Sequence, residues 1–510
     1  MKYIDNILNK VAMYRAVLYG LILMWVGAFI LSLFNLQSFT ALDLLLSTIF
    51  ILAICYFTNY IFSWAFKAPS NYDSVYVTAF ILALIISPNN PLNNLWFLGW
   101  VGVIAMASKY IFAINKKHLF NPAAMAVLIT ALFINHSASW WVANLYMMPI
   151  VLVFGYLIAR KIQRFGLVLG FILSSLFFIA IWGFMKGENV LLYVWNSIIY
   201  SPIIFFGTVM LTEPLTTPPI RKLRIYYGLV TGFLFAPFIH IGAIYGTPEM
   251  ALVISNIFSY AVSPKFKLIL KLIDRKKVAE NTYSFYFKTN QKFNFQPGQY
   301  FEWTVPHDDF DAAGIRRYFT VASAPTEDMV EIGVRFPEKP SSFKRHLLAM
   351  KIGEEVIAAQ LSGDFVLPPK ENKQHLVFIA GGIGITPFKS MIQHLINTGE
   401  KRTITLLYSN RMHEDIAYFN YLNTINRDFK NELDLDIIYA LTDKESAPLN
   451  WPGHKGRIDA DTITKNIPDY KDCLYYLSGP TSVVSSFRKL LLGLGIKRRQ
   501  IKTDYFPGFV

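Results

Sequence analysis

The sequence predicts a multi-pass α-helical membrane domain of about ten spans, followed by a small antiparallel β-barrel and an α/β sheet. Three observations predict it. Apolar runs near spanning length crowd the first 263 residues, whereas residues 268–372 alternate apolar and polar at strand period. From residue 373 onward, wholly apolar strands such as "HLVFIAGG", "RTITLLYSN" and "LDLDIIYAL" alternate with helical patterns, as buried parallel strands do. The expected domains are therefore 1–263, 268–372 and 373–510.

Composition narrows the class. A chain of 510 residues has room for three domains of ordinary size. Hydrophobic content of 54% against 16% charged residues is too apolar for a soluble protein of that length. The net charge of +14 does not point to nucleic acid, because the bases cluster at the ends of apolar runs, as membrane anchors do. The first apolar run is long enough to span and no small-residue cleavage site follows it, so no cleavable signal peptide is expected. The two cysteines, Cys55 and Cys473, exclude a disulfide framework and a four-cysteine iron–sulfur cluster built from this chain alone. No metal site is predicted.

Apolar stretches recur at 15–34, 41–66, 74–88, 95–114, 122–135, 141–159, 165–184, 190–211, 225–245 and 248–263, the third, fifth and tenth being short. With a cytoplasmic N-terminus, the cytoplasmic segments carry Lys2, Lys10, Arg15, Lys67, Lys109, Lys116, Lys117, Arg160, Lys161, Arg164, Arg221, Lys222 and Arg224. Only Lys186 falls outside, as the positive-inside rule predicts. An even count also returns the chain to the cytoplasm, so both termini and the soluble domains are expected there, at the inner membrane. A faint repeat links "NPAAMAVLI" from Asn121 with "TPEMALVIS" from Thr247, a displacement of 126 residues that also carries Pro88 onto Pro214. Five spans per half would make the repeat inverted, and such symmetry places binding sites near short or broken helices. The plainer account is that Asn-Pro and Thr-Pro are ordinary helix starts.

"HLFNPAAMA" (His118 to Ala126) and "FGTVMLTEPLTTPP" (Phe206 to Pro219) resemble segments of one membrane-protein family. Its members are the D-type subunit of the Rnf electron transport complex and the B-type subunit of the sodium-pumping NADH:quinone reductase. That resemblance covers roughly residues 15–263 and implies a flavin held in the membrane domain. The family often attaches FMN covalently to a threonine in a Ser-Gly-Ala-Thr type motif, which no outer loop here contains, so a non-covalent FMN or other flavin is expected. Asn121, Thr212, Glu213, Thr216 and Thr217 are its candidate partners. Haem is disfavoured, since His118 and His136 lack the spacing of stacked imidazole pairs.

In the soluble half, "PGQY" (Pro297, Gly298, Gln299, Tyr300), "RYFTVAS" (Arg317 to Ser323), "GGIGITP" (Gly381 to Pro387) and "SGP" (Ser478 to Pro480) occur in that order. Together they closely resemble the ferredoxin–NADP reductase superfamily, over about 240 residues. The resemblance implies an antiparallel β-barrel FAD domain and an α/β nucleotide-binding domain. It places Arg317 on the FAD pyrophosphate, where a planar charged fork suits phosphate oxygens, with Arg316 as the alternative. Phe319 then lies against the isoalloxazine, Thr320 meets its N5/O4 edge, and Ser341 and Ser342 of "PSSF" supply further phosphate donors. Phe506 or Phe509 covers the other flavin face, alongside Asp504 in "DYFPGF"; a packing role for the aromatics is the alternative.

For the pyridine nucleotide, Gly381, Gly382 and Gly384 permit close approach of a pyrophosphate to a helix start at Thr386-Pro387. Ser478 stands where the family has cysteine beside the nicotinamide, followed by Gly479 and Pro480. Ser409 and Arg411 lie where a 2′-phosphate would sit, while Asn410, Glu414 and Asp415 argue for NADH, which is favoured over NADPH.

The expected function is transfer of electrons from cytoplasmic NAD(P)H via FAD to a membrane flavin, and on to a quinone or an extracytoplasmic flavoprotein. A redox-driven ion-translocating pump component is one alternative. A membrane-anchored soluble-type flavin reductase is another, for which about ten spans are more than anchoring needs.

Overall fold

Both halves of the chain fold around apolar patterns, but of different periods. The computed structural model describes residues 8, 11, 13–66, 72–88, 92–114, 117–241, 244–263, 267–291, 293–307, 309, 311, 314–430, 432–445 and 447–506. It divides into two compact units, Met1–Ser263 and Pro264–Val510.

The first unit is helical: α1 (Met13–Leu33), α2 (Ala41–Ala65), α3 (Tyr72–Ile85), α4 (Leu95–Ile111), a hairpin of β1 (Ala113–Ile114) and β2 (Lys117–His118), and α5 (Pro122–Phe133). The order then repeats with α6 (Met148–Ile162), α7 (Phe165–Met185), the broken pair α8 (Val190–Tyr200) and α9 (Ile203–Met210), and α10 (Arg221–Leu234). A hairpin of β3 (His240–Ile241) and β4 (Ile244–Tyr245) and the helix α11 (Pro248–Val262) complete it. Packing repeats too. α2 touches α3 and α4 as α7 touches α8 and α10, and α5 lies on α4 as α11 lies on α10. Asn121 and Thr247 both cap their helices by accepting the N–H three residues on, each just ahead of a first-turn proline. The two halves are thus alike in architecture beyond the short matching segments.

Each of the ten apolar stretches carries a helix, but ten spans are not supported. Among the described residues, three helices, α1, α2 and α7, are long and apolar enough to cross a membrane, or four if α8 and α9, bent by 61°, count as one. Helices α3, α4, α5 and α11 are apolar but have only 10–17 residues, at most about 26 Å against the ~30 Å hydrocarbon core. Part of the reason lies in the hairpins: the apolar runs 95–114 and 225–245 continue past the ends of α4 and α10 into β1 and β3. Large apolar side chains cover the outside of this unit, with Phe133 and Leu191 each 82% and Trp64 and Phe184 each 77% exposed. Such a surface suits lipid and not water. Inside, a Cβ on Gly228 or Gly232 would come within 2.5 Å or 2.6 Å of backbone oxygens of α7, so this glycine pair lets α10 lie directly on α7.

In the second unit, β5 (Lys267–Ala279), β6 (Thr282–Lys288), β7 (Tyr300–Thr304), β8 (Arg316–Thr320), β9 (Val330–Arg335) and β10 (Glu355–Ser362) form a curled antiparallel sheet of order β8-β7-β10-β5-β6-β9. Helix α12 (Ser342–Ala349) closes one end. The sheet's outer strands meet just beyond β8, where Ala322 N–H donates to the Glu331 oxygen at 2.7 Å. Inward residues Phe285, Phe287, Phe301 and Trp303 fill the core, as strand alternation dictates, together with Phe343 of α12.

The remaining chain forms a parallel sheet of β11 (Leu376–Gly381), β12 (Thr403–Asn410), β13 (Asp434–Leu441), β14 (His454–Lys455), β15 (Leu474–Pro480) and β16 (Ile501–Phe506), in the order β14-β13-β12-β11-β15-β16. Helices α13 (Thr386–Thr398), α14 (Phe419–Asp428), α15 (Ala460–Asn466) and α16 (Thr481–Gly493) connect its strands. Every residue of β11 is buried, which its unbroken apolar run requires. The two sheets are locked together by a buried ion pair, Lys389 Nζ to Glu331 Oε2 at 2.6 Å, with the Tyr421 and Tyr418 rings 4.8 and 5.4 Å from the ammonium. Removing one partner of such a pair costs about 3–5 kcal/mol.

Candidate functional site

Strand β8 organises the first cluster. Its pleat sends Arg317 and Phe319 to one face and Arg316 and Tyr318 to the other. On the first face, the buried Phe343 ring of α12 carries the Arg317 guanidinium at 5.5 Å and the Phe319 ring at 5.7 Å. Arg317 is buried and donates to the oxygens of Gly314 (2.9 Å) and Arg316 (2.7 Å), with the Asp311 carboxylate 3.5 Å away. On the opposite face, Arg316 (3.7 Å) and the Tyr318 hydroxyl (2.9 Å) share Glu302.

Asp311 is the pivot of this cluster, and sequence reasoning missed it. Its Oδ2 accepts the Ser342 N–H at 2.8 Å, and its own N–H donates to Ser342 Oγ at 3.0 Å. A carboxylate therefore occupies the start of α12, where free N–H groups and the helix dipole favour an anion. Ser341 Oγ caps the same helix by accepting the Lys344 N–H at 3.5 Å. Lys344 Nζ donates to the Arg335 oxygen at 2.8 Å, and its ammonium is pushed down to about 8 by burial and by the Arg317 and Arg335 guanidiniums. Mutually repelling cations beside a helix start fit a diphosphate such as that of FAD.

The "PGQY" turn props the far end of β8. Pro297 and Gly298 are buried, and the Gln299 oxygen accepts the Val321 N–H at 3.0 Å. The Gln299 side chain bridges the Gln296 N–H (2.8 Å) and the Gly363 oxygen (3.3 Å). Tyr300 meets the Tyr318 ring edge-on at 5.7 Å, and Thr320 is buried beside it in register.

The second cluster lies at the carboxyl ends of β11 and β15, the usual ligand edge of a parallel sheet. After Gly381 the chain makes one tight turn, Gly382–Ile385, and enters α13 with Thr386 and Pro387 buried in its first turn. A Cβ on Gly384 would lie 2.4 Å from the Ser478 oxygen, and one on Gly479 2.9 Å from the Gly381 oxygen. Glycine at both positions is what allows the two loops to touch. Ser478 Oγ and Asp504 Oδ2 are buried without a hydrogen-bond partner among the described residues, and their residues are paired across β15 and β16. Burial pushes the Asp504 carboxyl up to about 7. A ligand or water at this sheet edge would give both atoms a partner. Ser409, the last residue but one of β12, pairs with Gly381, and Arg411 follows the strand, exposed. The Phe506 backbone pairs with Pro480, while its side chain and Phe509 lie outside the described residues.

In the first unit, the segments 118–126 and 206–219 meet. Asn121 Nδ2 donates to Glu213 Oε2 (2.9 Å), His118 Nε2 contacts Glu213 Oε1 (2.9 Å), and Asn256 Oδ1 accepts the Asn121 N–H (2.9 Å). The Thr216 hydroxyl reaches Glu213 Oε2 at 3.4 Å, whereas Thr212 and Thr217 donate to backbone oxygens of their own segment. Glu213 follows α9, whose second part, Phe206–Met210, is a π-helical turn, a feature frequent at functional sites. His118 and Asn256 are partners that sequence reasoning missed; His118 opens the "HLFNPAAMA" motif, but Asn256 carries no local signal.

Residues 378–489 match the oxidoreductase NAD-binding domain. The chain is 25% identical over 253 residues to flavohemoprotein A of Dictyostelium discoideum, covering 46% of this chain and 59% of that one. It is 26% identical over 240 residues to the F-type subunit of the Na(+)-translocating NADH-quinone reductase of Yersinia enterocolitica, covering 41% and 57%. It thus spans little more than half the length of these relatives. Among solved structures, the flavohem-like FAD/NAD-binding domain of nitric oxide dioxygenase from Vibrio cholerae matches with a TM-score of 0.40 at 18% identity, covering 48% of this chain and 99% of that one. The C-terminal unit is an NAD(P)H-dependent FAD oxidoreductase module.

Proposed function

We propose that the protein is a membrane-bound flavoprotein that passes electrons from NAD(P)H, NADH being favoured, through FAD and a centre in its helical unit to a quinone or an extracytoplasmic flavoprotein. The observation that carries this reading is the contact of the two glycine loops, Gly384 on Ser478, beside Ser478 Oγ and Asp504 Oδ2, which have no partner among the described residues. Bound FAD supplies the conversion of a two-electron donor into one-electron steps. Arg317 and Lys344 would hold its diphosphate, with the Ser342 N–H turning from Asp311 to the phosphate; Phe319 would flank its ring and Thr320 would meet the ring edge. The loops at Gly381–Gly384 and Ser478–Pro480 admit the dinucleotide backbone and fix the nicotinamide. Ser478 orients that ring without accepting a proton, because hydride transfer needs positioning and not proton abstraction.

The reading of the helical unit rests on its resemblance to the Rnf D-type subunit and on the meeting of Asn121 with Glu213. A non-covalent flavin there would take the hydrogen bonds that these side chains now make to each other. The half-buried Glu213 and the buried Glu249, 1% exposed, favour ion translocation as a second reading, since carboxylates enclosed among apolar helices mark ion paths.

Anaerobic titration of the purified full-length protein with NADH and with NADPH tests the proposal. Bleaching of bound flavin, and a second redox centre reduced after it, are expected. Protein that binds flavin which neither coenzyme bleaches refutes the reductase reading. A single flavin with no haem or quinone refutes the conduit and leaves the anchored reductase.

A further inference from the structure

A third cluster lies in the barrel lobe, outside both nucleotide sites. His307 and His346 stack face to face, their rings 4.1 Å apart and 10° from parallel. The His307 Nδ1 contacts the Val305 oxygen at 2.8 Å and the His346 Nδ1 contacts the Ser342 oxygen at 3.0 Å. A carbonyl only accepts, so both Nδ1 atoms carry hydrogen, which leaves Nε2 as the nitrogen of each ring that can bind an ion. Backbone carbonyls orient metal-ligating imidazoles in the same way. The Nε2 of His307 is buried and has no partner among the described residues. Asp309 completes the group: its Oδ1 lies 3.1 Å from His346 Nε2, while its Oδ2 is 3.4 Å from Arg345. One ligand atom from each of the three residues lies within 4.8 Å of the other two.

We propose that His307, His346 and Asp309 bind a divalent ion of the zinc, cobalt or nickel kind. Two imidazoles and one carboxylate select such ions over magnesium and calcium, which take oxygen ligands. The 3.1 Å separation is close to the ~3.4 Å edge of a tetrahedron with bonds of about 2.05 Å, and the two stacked rings turn out of parallel so that both Nε2 atoms point at the ion. Arg345 stays on the outer carboxylate oxygen. The loop bearing Asp309 also bears Asp311, which bonds Ser342 and approaches Arg317. The ion therefore sits where it ties that loop to α12, next to the cluster proposed for the FAD diphosphate.

Full-length protein, stripped with a chelator and holding its flavin, is titrated with Co2+ alone and followed by the visible bands of a four-coordinate ion. One Co2+ per chain is expected, displaced by Zn2+. His307→Ala and Asp309→Asn should each weaken binding by more than about tenfold, the lower end of what losing even a group bonded to a ligand produces. His375→Ala, in the cluster with Asp469 and Cys473, should leave it unchanged. Retained flavin absorbance shows that each variant is folded, and it reads out separately from the reductase proposal. Absence of the cobalt bands from the wild type, or their survival at full affinity in both His307→Ala and Asp309→Asn, overturns the site.

Discussion

Replacing Arg317 by alanine should strip FAD from the protein while leaving it folded. The guanidinium is buried, held over Phe343 at 5.5 Å, and anchored by the oxygens of Gly314 and Arg316 at 2.9 and 2.7 Å, so its direction is fixed before any ligand arrives. A hydrogen bond to a charged group contributes about 1.5–3 kcal/mol, which is roughly a tenfold to 150-fold loss in FAD affinity. The substitution also leaves Asp311 facing the diphosphate without its cation, which pushes the effect towards the upper end. Asp311→Asn, in contrast, removes the internal anion from Ser342 and should tighten FAD. Arg316→Ala is the control. Its contact with Glu302 is long at 3.7 Å and partly exposed, worth at most about 1 kcal/mol, so flavin content should hardly change. The assay is flavin per protein after gel filtration, with dissociation constants from fluorescence. Full flavin occupancy and unchanged NADH oxidation in Arg317→Ala would refute the reasoning and shift the role to Arg316.

Gly384→Ala places a methyl group 2.4 Å from the Ser478 oxygen and 2.6 Å from the Gly479 Cα, both backbone atoms that cannot yield. It should cost about 1–3 kcal/mol and slow NADH-dependent flavin reduction in stopped flow with FAD still bound; an unchanged rate would separate the glycine loops from coenzyme binding. Asp504, raised from 3.8 to about 7, holds its proton in the folded state over a range where the unfolded chain has released it. Its contribution to stability should therefore be full below about pH 4 and be lost as pH rises to 7, by at most about 4 kcal/mol, because the residue keeps partial exposure. Asp504→Asn should flatten that slope in thermal unfolding, and equal slopes in the two proteins would show that the carboxyl is not held neutral.

The reductase half was legible because its signals are local. A strand of six apolar residues, a glycine turn and a Thr-Pro helix start follow one another in "HLVFIAGGIGITP", and β11, the turn and α13 form in that order. What escaped was any partner distant in sequence. Asp311 lies 31 residues from Ser342, Glu331 lies 58 from Lys389, and nothing in their neighbourhoods marks them as anything but surface acids.

The helical half was legible in a weaker sense, because hydropathy reports what a segment avoids and not where its helix stops. Apolar residues of 225–245 serve α10 and then, after Ala236, the hairpin β3–β4, so one run yielded a 14-residue helix instead of a span. The repeat shows the same limit from the other side. Its sequence trace is a proline and a few small residues, yet the hairpins at His240 and Ala113 and the capped starts at Thr247 and Asn121 recur together. Helix caps and hairpins are set by backbone hydrogen bonds that many sequences satisfy, whereas the polar contacts distinguish the halves. Glu213 gathers His118 and Asn121 from 95 and 92 residues away, and Asn256 reaches Asn121 across 135. A half-buried carboxylate with its oxygens committed to such contacts is costly to assemble. In a unit whose outer surface is apolar, that cost is the strongest internal argument that the knot around Glu213 serves function and not stability.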